Sequence, residues 1–485
     1  MYRPRKLDLC SALVCCFTAA VLQCGCARPH QGPYQHLASQ RLGQIRMPHV
    51  ERLTLKNGMR LLLVEDHELP LINLAAMVRT GSIYDPPEKI GLAEITAQVM
   101  RTGGTSRMTG DQIDGLLEQK AASVEVGMGL TAAHISASSL REDFNDVLSI
   151  LADILREPAF SQEKIDLAKM QLRSAIARRN DDPGDVAARE FAKLVYGPDS
   201  PYARHPEYAT IDRIEREDLV VFHKRFFGPN NIILAIWGDF QRDQMVRMVE
   251  EVFSDWAGVD VNIPRPPSVE YRYRPTVNLI KREDINQSNI IMGHLASRMD
   301  DPNYHALNIM ERILGVGFTS RLFRNVRSRQ GLAYSVYGRY ECQFDHPGLF
   351  AVGCQTKSDM TVRAIRAMQQ EVERITGSLV TDEELAVAKE AFLNAYVFNF
   401  ESTGQIVRRL MAYDYYGYPA DFLERLRQDV AKVTKQQILD AARTHLRPDA
   451  VQVLVVGRPQ DFDQDLGTLG PVNQIDITIP QSQTQ

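Results

Sequence analysis

The chain has 485 residues, 44% of them apolar and 24% charged, with a formal net charge of -5 at pH 7. That length suits two to four domains rather than one core. The near balance of charge gives no electrostatic reason to expect nucleic acid or an anionic membrane as a partner.

Taken in chain order, the N-terminus reads as an export signal. Arg3, Arg5 and Lys6 precede an apolar run over residues 9–22, and Gln23-Cys24-Gly25-Cys26-Ala27 follows. A basic start, a short apolar stretch and small residues are the parts of a secretory signal, and the run falls short of the roughly 20 residues a membrane span needs. Cleavage after Ala27 would give a soluble periplasmic protein, and lipidation at Cys26 a membrane-anchored one; both routes stay open. Residues 28–47 are polar and read as a tether.

From Val50 the pattern changes to strands. Lys56-Asn57-Gly58 marks a hairpin turn before a second strand at residues 59–65, and residues 71–79 form a third apolar run. A helix is expected from about 91 to 101. Pro264, Pro266 and Pro267 mark a linker at residues 261–275, separating a first domain at 48–260 from a second at 276–478. The two sides repeat each other at an offset of about 216–220 positions. Ser161-Gln-Glu-Lys-Ile and Thr381-Asp-Glu-Glu-Leu each open a helix behind an N-cap residue, and Thr381 with Glu384 forms a capping box. Phe227-Gly-Pro-Asn-Asn before residues 232–238 answers Leu446-Arg-Pro-Asp before residues 451–457. The fold class is therefore α+β: two homologous domains, each a mostly antiparallel sheet with helices packed on it.

Outside the leader only Cys342 and Cys354 remain. A hairpin turning at Asp345/His346 puts Cys342 opposite a residue near 351 rather than 354, so two free buried thiols are expected. Tyr413 to Tyr418 is an aromatic cluster, read as core or interface because no basic patch accompanies it. Neither a Gly-x-Ser-x-Gly elbow nor the Gly-Lys-Ser/Thr ending of a phosphate loop occurs, the loop at Gly315-Val-Gly-Phe-Thr-Ser included.

Two segments carry a resemblance. Gly81-Ser-Ile-Tyr-Asp, with Gly91-Leu-Ala-Glu-Ile-Thr-Ala-Gln98 after it, resembles the zinc-site region of the insulinase/pitrilysin peptidases, where Gly-Leu-Ala leads into His-x-x-Glu-His on a helix. Helical residues i and i+4 share a face, so two imidazoles there grip one Zn²⁺ while i+3 holds a carboxylate against the metal-bound water. In this chain the three positions fall on Glu94, Ala97 and Gln98. The window expected to hold a third, glutamate ligand, residues 170–180, contains neither a carboxylate nor a His. The resemblance thus implies a chain with no metal of its own. Glu94 by itself reads as an exposed helical residue.

The second segment, Ser320-Arg-Leu-Phe-Arg-Asn-Val-Arg-Ser-Arg-Gln-Gly-Leu-Ala-Tyr-Ser-Val336, resembles the family's C-terminal element. There an Arg and a Tyr seven positions later bind substrate near the scissile peptide; here they are Arg327 and Tyr334. The resemblance spans about residues 50–477. It implies a clamshell half that supplies the Arg/Tyr pair to a zinc-bearing homologous subunit, in a heterodimer acting on peptides, with zinc on the partner, no cofactor on this chain and no nucleic acid; in isolation a homodimer stays open. The alternative is a structural or binding protein on the same fold without a role in proteolysis.

Overall fold

The computed structural model describes residues 47–260 and 262–481; the expected signal, Cys26 and the tether up to residue 46 lie outside these residues. The described residues form one compact unit. Its two sheets have six strands each. The first is built from β1 (Glu51–Thr54), β2 (Arg60–Glu65), β3 (Leu71–Val78), β4 (Ser123–Met128), β5 (Ala133–Leu140) and β6 (Ile232–Gly238), in the order β1-β2-β6-β3-β5-β4. The second uses β7 (Thr276–Lys281), β8 (Gln287–Leu295), β9 (Ser335–Tyr340), β10 (Leu349–Lys357), β11 (Gln452–Gly457) and β12 (Val472–Gln474), in the order β12-β7-β11-β8-β10-β9.

The repeat read from the sequence is visible in this order. β6 lies between β2 and β3, as β11 lies between β7 and β8, and β4-β5 answers β9-β10. Each sheet is mixed rather than purely antiparallel, because β2 runs parallel to β6, and β7 parallel to both β11 and β12. Those pairs join strands distant in sequence, with the helices of each half as the crossover.

Four helices of each half matter for the site: α1 (Leu92–Thr102), α2 (Phe144–Arg156), α3 (Gln162–Arg178) and α4 (Pro183–Tyr196) in the first, and α5 (Tyr304–Leu314), α6 (Thr361–Gly377), α7 (Asp382–Tyr396) and α8 (Thr403–Tyr416) in the second. Asp182 caps α4 by accepting from Gly184 N and Asp185 N, with Pro183 at the first helical position, where its missing N–H costs nothing. The Thr381/Glu384 capping box forms as expected, whereas the Ser161 side chain makes no capping bond to α3.

The last helix of each set crosses to the other half. α8 packs on β2, β3 and β6, where Ile406, Leu410 and Tyr413 meet Leu62, Met77 and Trp237. α4 packs on β8 and β11, where Val186 and Phe191 meet Ile291 and Leu454. Each sheet is thereby covered on both faces. This explains why β6 and β11 are buried along their whole length and carry continuous apolar runs instead of alternating ones. The Tyr413–Tyr418 cluster belongs to this seam: Tyr413 and Tyr415 are buried, and Tyr416 stacks on Phe344 with ring centroids 4.6 Å apart.

The hairpin register corrects one expectation. Tyr340 faces Phe350, and Glu341 N donates to Leu349 O, so the ladder carries Cys342 toward Gly348 rather than toward residue 351. Cys354 faces Val336 one way and Ile290 the other. Both thiols are free, with Cys354 buried and Cys342 half-buried, and burial pushes each up to about 12, which makes them poor nucleophiles.

Candidate functional site

The segment that resembles a zinc site enters through a fixed turn. Gly81 has φ +155°, and a Cβ there would overlap the carbonyl of Leu130, so only glycine fits. Asp85, 3% exposed, then takes the place of a missing cap on α1: its carboxylate accepts from Gly91 N at 2.8 Å and Ala93 N at 2.9 Å. Arg204 ties down the same turn by donating to the carbonyls of Ser82, Ile83 and Asp85. Desolvation raises Asp85 to about 6 against these hydrogen bonds.

The three motif positions on α1 differ in exposure. Glu94 is exposed, and partial desolvation raises its carboxyl above the usual range. Ala97 is buried. Gln98 donates its amide N–H to Gln171 Oε1 on α3, within the stretch where a third ligand was sought. The lone Glu94 carboxylate, a methyl group and two carboxamides bonded to each other therefore stand where imidazoles and carboxylates would have to converge. Zn²⁺ takes three or four ligands from His nitrogen, thiolate or carboxylate oxygen, so a set with one possible ligand does not fit the metal. Among the described residues no group of three or more His, Cys, Asp or Glu is placed to hold one.

The second segment is built differently. It starts at Arg321, 5% exposed, whose guanidinium makes paired bonds of 2.7 and 2.8 Å to Glu384 at the start of α7. Glu384 closes the capping box with the same carboxylate, and Arg321 holds it down to about 2. A π-helical turn follows at Phe323–Arg329, a wide-turn geometry that recurs at functional positions. Asn325 in that turn donates to the buried Glu371 of α6 at 2.8 Å. Gly331, at φ +63°, reverses the chain, and Leu332 N returns to Val326 O.

This frame brings Arg327 and Tyr334 together. The Arg327 Cζ lies 5.9 Å from the centre of the Tyr334 ring and 4.7 Å from that of Phe323. Among the described residues the Arg327 side chain has no hydrogen-bond or ion-pair partner, and the Tyr334 ring is 76% exposed. A half-buried guanidinium stacked on aromatic faces with its N–H fork free is a donor array awaiting an acceptor. Spacing in the sequence picks out both residues but not their support: Arg321 carries no local signal of its bond to Glu384, and the Asn325–Glu371 and Gln98–Gln171 contacts join residues too distant in sequence for spacing to reveal.

Known proteins resemble the chain in the same two parts. The profile described as Insulinase (Peptidase family M16) matches residues 60–196, and that described as Peptidase M16 inactive domain matches residues 213–392. The "Non-peptidase homolog YmxG" of Helicobacter pylori is 25% identical over 389 residues, which span 79% of this chain and 88% of that protein. A crystal structure of a peptidase M16 inactive domain from Pseudomonas fluorescens has a TM-score of 0.76 at 24% identity, covering 84% of this chain and 98% of that one. The periplasmic protease PqqL of Escherichia coli has a TM-score of 0.71 at 13% identity, covering 86% of this chain and 47% of that one. Both structural likenesses are likenesses of fold.

Proposed function

The chain belongs to the insulinase family, peptidase family M16, and from that premise we propose that it is the metal-free subunit of a two-subunit zinc peptidase. In this reading it supplies Arg327 and Tyr334 to the active site of a zinc-bearing homologue, whose metal activates the attacking water. The observation that carries it is the contrast between a helix α1 without ligands and an Arg327 side chain held in place yet unpartnered. Arg327 binds the carbonyl oxygen of a peptide by its N–H fork. As that oxygen gains negative charge, the preorganised donor stabilises it more strongly than it did the ground state. Tyr334 offers a hydroxyl beside it. Export to the periplasm, as a soluble or a Cys26-anchored protein, belongs to the same proposal and is in keeping with the periplasmic protease of similar fold.

The test is reconstitution. The purified chain alone should cleave no peptide and carry no stoichiometric zinc, and the complex with a zinc-bearing family member should cleave peptides. Chelator-sensitive cleavage by the isolated chain would refute the assignment. A second reading, a binding or structural protein without a part in proteolysis, is favoured by the relative named a non-peptidase homolog. It predicts that Arg327→Ala and Tyr334→Phe leave the turnover of any complex unchanged.

A further inference from the structure

Beside the Arg/Tyr element lies a feature that neither residue accounts for. The loop after α5 is fixed at its root, because Gly315 packs backbone to backbone against Gly338 of β9, where either Cβ would clash. Its tip is not covered. Val316 is 38% exposed and Phe318 77%, and Val387 on the facing helix α7 is 37% exposed. Together with Ile313, Ala388 and Ala391 these side chains enclose a concavity of about 160 Å³. That is the size of a cavity that holds a single benzene ring.

The charged groups at its rim offset one another. Arg324 shares Glu384 at 3.4 Å, and Arg312 lies over the Phe392 ring at 5.3 Å, while Glu383 faces solvent. Two guanidiniums and two carboxylates leave the rim without a net charge that would favour an anion. A row of rings then leads out of the concavity: Phe318 meets Phe323 edge-on at 5.0 Å, and Phe323 lies under Arg327 at 4.7 Å. By those steps the Phe318 ring at the rim lies no more than about 10 Å from the free guanidinium, which an extended peptide covers within about three residues.

We propose that the concavity between the Gly315–Ser320 loop and α7 is a subsite for one large apolar side chain, Phe- or Leu-sized, of an extended peptide whose backbone is held by Arg327 within about three residues. This deepens the functional reading above and rests on it for the role of Arg327. A second copy of the chain is the weaker occupant, since a stable interface buries about 800 Å² on each partner and this patch offers a few side chains around one ring-sized hollow. Exposed apolar side chains gathered at one place on a surface mark a binding site.

The test needs only the full purified chain and two fluorescein-labelled dodecapeptides of Gly, Ser and Ala, one with a central Phe and the other with Ser in its place. Fluorescence anisotropy should give the Phe peptide a Kd lower by about tenfold or more, the effect of burying one such side chain. Phe318→Ser and Val387→Ser, both at exposed positions that the fold does not need, should each erase that preference. Arg327→Ala should weaken both peptides by a similar factor and keep the ratio. Equal binding of the two peptides by the native chain overturns the subsite. So does a preference that survives both substitutions, or a change from dimer to monomer on Phe318→Ser in sedimentation with peptide affinity unchanged. A missing preference while Arg327→Ala still abolishes turnover with the partner would sink the subsite alone. A clear preference with turnover indifferent to Arg327 would leave the subsite standing and sink the two-subunit reading.

Discussion

Helix α1 and the segment from Arg321 to Tyr334 are the two places where the chain's text resembles a zinc peptidase, and they have been built in opposite ways. On α1 one polar pair satisfies itself, Gln98 with Gln171, while Ala97 is buried and offers no polar group and Glu94 is a single exposed carboxylate. In the later segment the buried polar groups hold the backbone, through Arg321–Glu384 and Asn325–Glu371, and the one side chain they aim outward has no partner. A site that satisfies its own hydrogen bonds has little left for a ligand. A site whose internal bonds serve only to hold a free donor in place has kept its capacity to bind.

The contrast can be broken first at the metal. Glu94→His, Ala97→Glu and Gln98→His together should yield at most weak zinc binding, because two His are one protein ligand short of a catalytic site. Adding Gln171→Glu, whose side chain already meets residue 98, should raise the content to about one zinc per chain by elemental analysis. Stoichiometric zinc in the triple variant would mean that a third ligand stands somewhere the geometry does not suggest.

Next comes the frame of the second region. Arg321→Ala leaves the half-buried Glu384 with only the more distant Arg324 and should cost about 1–3 kcal/mol in urea unfolding. The pH dependence follows from Glu384, whose pKa falls from 4.5 in the unfolded chain to about 2 in the folded one. The folded state thus holds the proton less tightly, so the contribution is complete above the unfolded value and is lost as pH falls from about 4.5 toward 2. The gap between native chain and variant should therefore narrow over that window. A constant gap would place the stabilisation in packing instead. Asp85 runs the other way: its pKa is raised to about 6, so ionisation costs stability as pH climbs from about 4 to 6. Asp85→Asn should flatten that part of the profile.

For the free donor, Arg327→Ala in the reconstituted complex should lower kcat by about 10²–10³, the effect of removing one oxyanion donor, with the unfolding midpoint unchanged. A loss of stability in its place would make Arg327 a structural residue. The smallest effect belongs to the amide pair: Gln98→Ala should change stability by about 1 kcal/mol or less and leave peptide turnover untouched.

Much of this was written in the chain. The apolar runs at residues 232–237 and 453–456 require cover on both sheet faces, and the capping box at Thr381 defines a helix start by local hydrogen bonding. The vacancy at Glu94, Ala97 and Gln98 needs only the i, i+3, i+4 geometry of a helix. These features depend on residues close in sequence, so periodicity and spacing expose them. What tertiary structure alone decided was which partners meet across long separations: α8 crossing to the first sheet, α4 to the second, Gln171 meeting Gln98, and Glu384 and Glu371 holding the turn that carries Arg327. The sequence supplied Arg327 and Tyr334 as two letters at a plausible spacing. The packing of α6 and α7 around the π-helical turn is what leaves one of them a free, stacked guanidinium, because the frame's carboxylates, Glu384 and Glu371, are already taken by Arg321, Arg324, Asn325 and Arg374.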